Sequence, residues 1–226
     1  MRATFRSTCI LPIMLLVLTI LATPSAAAQP SIPINGRYSI ITVKIYIPAY
    51  PKWAHDTVLK AAIAWNQAQL WSLRNNPSKM FYFLEADEST ATSIVSFSMP
   101  SAYSTLAVGW TCYTFAPGST TEITSTQTYL NPSIFNASQA SNVTATRYGF
   151  WLALHELGRI LGLGSVLDQH DIMDPLYTPE RINGVPQLST LDLYALHVLA
   201  QGSDPNFVAL PVGVQDLFTP VTNFLP

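Results

Sequence analysis

The alternation of apolar and polar positions after residue 28 predicts five β-strands and three α-helices. Residues 37–48 alternate and are rich in Ile, Val and Tyr, which is typical of a strand. Apolar residues spaced by three and four positions over 55–74 predict an amphipathic helix. Four further strands are predicted by shorter alternating segments, at 81–85, 93–98, 106–115 and 121–130. The Thr-rich pattern of the last of these is typical of an exposed edge strand.

Two more helices are predicted in the second half of the chain. Residues 145–163 carry apolar side chains on one helical face, and Gly162 supplies a stop signal. Residues 189–200 predict the last helix, with Ser189 as N-cap and Asp192 completing a pair that resembles a capping box. A strand, a helix, four strands and two helices in this order predict an α+β sheet protein of one domain.

The first 28 residues have the layout of a secretory signal. Arg2 and Arg6 give a positive start, residues 9–22 form an almost unbroken apolar run, and small residues follow up to Ala28. The run of about 14 residues is shorter than the roughly 20 that span a bilayer. We therefore expect cleavage after Ala28, export of the chain and no membrane attachment afterwards.

Composition narrows the possible function classes. Hydrophobic residues make up 49% of the 226 and charged residues only 11%, which excludes a chain kept disordered by charge. The 11 basic and 13 acidic residues give a net charge of −2 and leave no basic stripe that would neutralise a row of phosphates. We therefore expect no nucleic-acid partner.

The strongest chemical motif lies in the second predicted helix. Residues 155–165 read HELGRILGLGS. This segment resembles the zinc-binding helix of the matrixins, a branch of the metzincin metalloendopeptidases, whose pattern is HExGHxxGxxH. Arg159 replaces the second His of the pattern, and Ser165 replaces the third. Four positions stand in register with the pattern: His155, Glu156, Gly158 and Gly162.

The resemblance continues beyond this helix. Residues 171–175, DIMDP, are similar to the family's Met-turn, and Met173 follows Ser165 by the eight residues usual in matrixins. Residues 188–194 are similar to the start of the family's C-terminal helix. The resemblance implies a metzincin fold with a twisted mixed five-stranded sheet, a long active-site helix, a Met-turn and a C-terminal helix.

The family pattern is built around one metal ion. Two His at positions i and i+4 lie on one helix face and bind zinc together with a third His beyond a glycine turn. The Glu after the first His acts as general base toward a zinc-bound water. For this chain, the resemblance implies His155 as a metal ligand, Glu156 as general base, and Met173 as the floor of the site. It also implies an extended peptide or protein as partner.

Arg159 and Ser165 argue against a working zinc centre. The guanidinium of Arg159 stays protonated and cannot act as a metal ligand. Two unit charges about 4 Å apart repel by about 4 kcal/mol at an effective dielectric constant near 20, and zinc carries two charges. Ser165 is a poor zinc ligand at neutral pH. We expect the guanidinium of Arg159 to fill the vacant metal position and to pair with Glu156, so that zinc binding is weak or absent.

His170 is the alternative second metal ligand. It follows the missing third ligand by five residues, and carboxylates flank it at Asp168 and Asp171. A loop that brings His170 to His155 would give an active zinc endopeptidase with a non-standard ligand set and Glu156 as general base. This alternative stays open beside the impaired form.

Together these features predict a signal peptide at 1–28, a matrixin-like metallopeptidase domain at 29–202, and an apolar, Pro-containing tail at 203–226. We expect a secreted protein with impaired hydrolysis that retains peptide binding. A surface protein used only for packing is a third possibility. The tail either packs on the body or contacts a partner. Asn136 and Asn142 are candidate glycosylation sites in an exported chain.

Overall fold

The computed structural model describes residues 29–72, 80–101, 108–168, 170–175 and 185–221. The signal segment predicted at 1–28 lies outside these residues. The described chain contains three α-helices and a mostly parallel six-stranded sheet, so the mixed α and β architecture is confirmed. The described helices include none with the length and apolar character of a membrane span.

The elements lie close to the segments that the sequence pattern predicted. The helices are α1 Lys52–Ser72, α2 Val143–Ile160 and α3 Thr190–Ala200. The strands of the main sheet are β2 Arg37–Tyr38, β3 Thr42–Tyr46, β4 Tyr82–Glu85, β5 Ser93–Ser96, β6 Gly109–Phe115 and β7 Glu122–Leu130. Short strands outside it are β1 Ser31–Pro33, β8 Gln187–Ser189, β9 Phe207–Ala209 and β10 Phe218–Pro220.

The first predicted strand, 37–48, is two strands in the structure. Tyr38 of β2 pairs with Ile123 of β7, whereas β3 pairs with β4 and β5. A bend between β2 and β3 carries the chain from one set of partners to the other and leaves Ile40 and Ile41 exposed. The main sheet therefore has six strands instead of the predicted five.

The prediction that β7 is an exposed edge strand is wrong. Strand β7 lies inside the sheet, paired with β5 and β2 in parallel and with β6 in antiparallel. Two of its Thr side chains are buried and bond to neighbouring hydroxyls: Thr126 Oγ1 donates to Ser93 Oγ at 2.8 Å, and Thr128 Oγ1 lies 3.0 Å from Thr111 Oγ1. The Thr-rich pattern that suggested an exposed strand therefore reflects hydroxyl pairs inside the sheet.

Amide side chains of α1 cover the opposite edge of the sheet, at β4. Asn66 accepts from the backbone nitrogen of Phe83 at 2.8 Å and donates to the backbone oxygen of Phe83 at 3.0 Å. Gln69 accepts from the backbone nitrogen of Phe81 at 3.1 Å. Both amides are buried, so these polar residues satisfy backbone groups that an edge strand would otherwise leave exposed.

The described part of the tail packs on the body of the protein. Strand β9 pairs with β1, and β10 pairs with β8, both in antiparallel. Asp216 accepts a hydrogen bond from the backbone nitrogen of Leu191, in the first turn of α3, at 3.0 Å. The capping box predicted at Ser189 and Asp192 is present. The tail was expected either to pack on the body or to contact a partner. The structure supports packing on the body for the described tail, which ends at residue 221.

Candidate functional site

Helix α2 presents the motif residues within little more than one turn. Asn142 caps the helix by accepting a hydrogen bond from the backbone nitrogen of Ala145 at 3.1 Å. His155 and Glu156 are each 4% exposed, whereas Arg159 is half-buried. The helix thus buries His155 and Glu156, which match the family pattern, and leaves Arg159, which departs from it, more exposed to solvent.

His155 joins α2 to the turn at 171–175. Its Nδ1 donates to the backbone oxygen of Ile172 at 2.9 Å. Burial lowers the pKa of His155, with the Glu156 charge opposing that shift. The ring is therefore neutral at physiological pH, with its proton on Nδ1 and a lone pair on Nε2.

Glu156 faces the sheet. Its Oε2 accepts a hydrogen bond from Thr111 Oγ1 of β6 at 2.6 Å, and Thr111 in turn lies beside Thr128 of β7. A carboxylate accepts but does not donate, so this hydroxyl fixes its orientation toward β6.

Arg159 bonds to the other replaced position. Its Nη1 donates to Ser165 Oγ at 2.9 Å. The expected pairing of Arg159 with Glu156 is wrong: the ion pairs of the described residues include none of Arg159, and Thr111 holds Glu156 instead. The two side chains at the positions where the family pattern has its second and third zinc ligands thus contact each other directly.

A tyrosine of β6 holds the end of α2. Tyr113 donates from its hydroxyl to the backbone oxygen of Arg159 at 2.9 Å, and Asn35 donates to the Tyr113 hydroxyl at 3.1 Å and to the backbone oxygen of Leu163 at 2.9 Å. Burial raises the pKa of Tyr113 to about 12, so it remains a neutral donor. Sequence reasoning missed this residue, whose role depends on contacts between distant segments.

Met173 lies against α2 at Gly158, and its role as the floor of a metal site stays a prediction. A Cβ atom placed on Gly158 would lie 2.5 Å from Met173 Sδ and 3.0 Å from Trp65 Cζ2, so only glycine permits this approach. Val166 donates from its backbone nitrogen to the backbone oxygen of Met173 at 3.0 Å. Together with the contacts of His155 and Arg159, these bring the motif residues and the Met-turn segment side by side.

The donor set around His155 does not fit a zinc site. Two of the three family ligand positions hold a permanent cation and a hydroxyl. His170 has a side chain 60% exposed, and its Nδ1 lies 3.3 Å from Asp168 Oδ1. Over the described ranges, no three or more His, Cys, Asp or Glu residues are placed to hold a metal together. The alternative ligand set of His155, His170 and a carboxylate therefore stays a prediction.

A buried carboxyl pair joins the Met-turn segment to α3. Asp171 accepts from the backbone nitrogen of Met173 at 2.7 Å, and Asp192 accepts from the backbone nitrogen of Ser189 at 3.1 Å. Asp171 Oδ2 and Asp192 Oδ1 are buried and receive no donor from the described residues. Burial raises the pKa of both carboxyls, and the Asp171 charge raises that of Asp192 further. The pair therefore retains a proton well above the usual Asp range.

We predict that Asp171→Asn stabilises the protein at alkaline pH. A raised native pKa gives stability that is complete below the unfolded Asp pKa of about 3.9 and is lost as pH rises through the native value. Asn keeps an acceptor for Met173 and adds a donor for Asp192. Urea unfolding at pH 8 should show a gain of about 1–2 kcal/mol, and the gain should shrink at pH 5. Asp87→Asn, on an exposed turn, is the control; equal effects in both variants would contradict the raised pKa of the carboxyl pair.

The two candidate glycosylation sites lie at helix N-caps. Asn136 accepts from the backbone nitrogen of Ser138 at 3.0 Å and caps a short 3-10 helix, and Asn142 caps α2. Asn136 is half-buried and Asn142 is exposed. Glycan attachment at either residue stays a prediction.

Comparison with known proteins gives no family for the chain. No family model matches it, and no curated protein matches it. Among solved structures, a chain of the GM1 bound form of the ECX AB5 holotoxin is similar over 75% of this chain and 88% of that chain, with 11% identity and a TM-score of 0.41. Similarity at this level carries no argument about fold family or activity.

Proposed function

We propose that the protein is a secreted, matrixin-like member of the metzincin metallopeptidases in which zinc-dependent hydrolysis is impaired and peptide binding is retained. The observation that carries this proposal is the hydrogen bond from Arg159 to Ser165. Its two partners stand where the family pattern has the second and third zinc ligands. They are brought together in space, as the ligands of one metal would be, but neither supplies an imidazole.

The surroundings of this bond support the family assignment. His155 has the tautomer that a metal ligand needs. Its Nδ1–H donates a hydrogen bond to Ile172 O, so the lone pair lies on Nε2. Met173 packs beneath Gly158, next to the helix turn that carries His155. The arrangement around the helix therefore resembles a metal site, while the cation it contains is the guanidinium of Arg159.

Peptide binding is supported by the difference between the two edges of the sheet. The β4 edge is closed by Asn66 and Gln69, whereas the outer edge of β6 pairs with no other strand in the described ranges. Asn131 N donates to Val108 O, so antiparallel alternation turns the backbone groups of the odd-numbered residues 109, 111 and 113 outward. An extended peptide would add to this edge by backbone hydrogen bonds.

The proposal predicts no metal-dependent proteolysis. Purified protein incubated with casein and with a random peptide library should give the same product pattern with and without a chelator, because only His155 remains of the three imidazoles. Glu156→Gln should leave that pattern unchanged. Chelator-sensitive cleavage that disappears in Glu156→Gln would contradict the proposal and would favour the alternative site built on His155, His170 and a carboxylate.

A further inference from the structure

We infer that Arg159 and Ser165 form a receptor for a carboxylate of the peptide that adds to β6. This inference rests on the proposed function and names the chemical group that the cleft selects. It assigns a binding role to the guanidinium in addition to its replacement of a metal ligand. We call this cleft the β6 groove: the surface between the outer edge of β6 and the segments 165–168 and 170–173, with α2 beneath it.

The contacts of α2 orient the helical turn that carries Arg159 toward the β6 groove. On one side, β6 touches the helix through Thr111 at Glu156 and through Tyr113 at the backbone oxygen of Arg159. On the other side, the loop after α2 contacts the helix through the Ile172 oxygen at His155 and through Ser165 at the guanidinium. The helical turn that carries Arg159 therefore faces the space between β6 and this loop.

The guanidinium retains unused binding capacity. Guanidinium has five N–H donors, and the interaction with Ser165 uses one of them. The described ion pairs contain no carboxylate partner for Arg159. Arg159 is half-buried, so its charge is only partly hydrated and is screened less than a surface charge. The planar guanidinium group is suited to bidentate binding of a carboxylate, and the Ser165 hydroxyl is available as a further donor.

Glu156 and Asp174 are the like charges that an incoming carboxylate would meet. The charges of both carboxylates raise the pKa of His155, and Arg159 lowers it, so all three act on the same region. Thr111 holds Glu156 toward β6, whereas Arg159 bonds to Ser165. We expect Glu156→Gln to tighten carboxylate binding, because it removes one of these two negative charges without changing side-chain size.

A peptide carries a carboxylate either at its C-terminus or on an Asp or Glu side chain, and the Arg159 guanidinium would bind both. The test uses random N-acetylated hexapeptides in three forms: a free C-terminal acid without Asp or Glu, the matching C-terminal amide, and the amide with one Asp. Binding to the purified protein is measured by competition fluorescence anisotropy. Hydrogen exchange of the β6 amides reports strand addition independently of affinity.

We expect the acid form to bind about tenfold or more tightly than the plain amide, because the amide cannot form the charge-assisted hydrogen bond with the guanidinium. Arg159→Gln should abolish that preference, and Ser165→Ala should reduce it. Lys60→Gln removes one exposed positive charge from α1 and should leave it intact. Tight binding of the Asp-containing amide, also lost in Arg159→Gln, would support the carboxylate receptor with a side chain as the source.

Two other results would overturn the inference. Equal binding of acid and amide, with protection of the β6 amides, would refute the carboxylate receptor and leave peptide addition in place. Absence of binding by all three peptide forms, with no protection of β6, would refute the peptide-binding part of the proposed function together with the receptor. The exchange measurement therefore separates the failure of one from the failure of both.

Discussion

Replacing Arg159 and Ser165 by His in the same chain should produce a protein that binds one zinc ion. The two side chains already lie within hydrogen-bond distance of each other, and His155 holds its lone pair on Nε2. Imidazoles at these positions restore three neutral nitrogen ligands and remove the guanidinium that repels a divalent cation. Zinc at one hundred times its dissociation constant should then stabilise the variant by about 2.7 kcal/mol, measured as a zinc-dependent shift in urea unfolding.

The matched control is Arg159→Gln with Ser165→Ala. It removes the same hydrogen bond and the same charge without adding an imidazole, so it should show no zinc-dependent shift. Circular dichroism confirms that each variant is folded before zinc is added. A folded double-His variant that takes up no zinc would show that the three positions do not converge as metal ligands, and the matrixin-like assignment would fail with it.

Replacing Gly162 by Ala should cause the largest loss of stability of any single methyl addition near the site. Gly162 has φ of 99°, and a Cβ atom there would collide with the backbone oxygen of Gly36. Its own backbone oxygen accepts from Asn35 N at 2.8 Å, so the segment has little freedom to move aside. We expect about 2–5 kcal/mol of destabilisation in urea unfolding, from the left-handed conformation and the overpacking together.

Gly118 separates these two causes. It also has positive φ, 78°, but a Cβ atom there would have no neighbour within 4 Å. Gly118→Ala should therefore lose only the conformational part, about 1–2 kcal/mol. Equal losses in the two variants would contradict the close approach of Gly162 to Gly36, which fixes the chain as it leaves α2 toward Ser165.

The parts of the structure that were predicted correctly depend on local sequence. The helix that carries His155 follows from apolar spacing within one segment, and the capping box at Ser189 and Asp192 from residues three positions apart. The contact between Arg159 and Ser165 was not predicted, because the helical spacing was interpreted as pairing Arg159 with Glu156.

The parts that were missed depend on distant partners. Helical spacing permits Arg159 to pair with Glu156. In the structure that carboxylate instead accepts a hydrogen bond from Thr111, on a strand 45 residues earlier in the chain. The position of β7 inside the sheet depends on hydroxyls of Ser93 and Thr111, which lie on other strands. No periodicity within a segment carries such information.

The carboxyl pair illustrates a signal that was present but not interpreted. Asp171 stands between His170 and the apolar pair Ile172 and Met173, where a charged side chain next to buried residues is unusual. Its partner Asp192 was assigned only to the helix cap. The pairing of the two carboxyls required the register between the Met-turn segment and α3, which the sequence does not contain.

Metal content of the purified, unmodified protein tests the central claim most directly. Native mass spectrometry and elemental analysis, after exposure to zinc and dialysis without chelator, measure how many ions each chain retains. The account predicts no stoichiometric zinc, because Arg159 and Ser165 stand where the proposed family pattern has two zinc-binding imidazoles. One tightly held zinc ion per chain would contradict it.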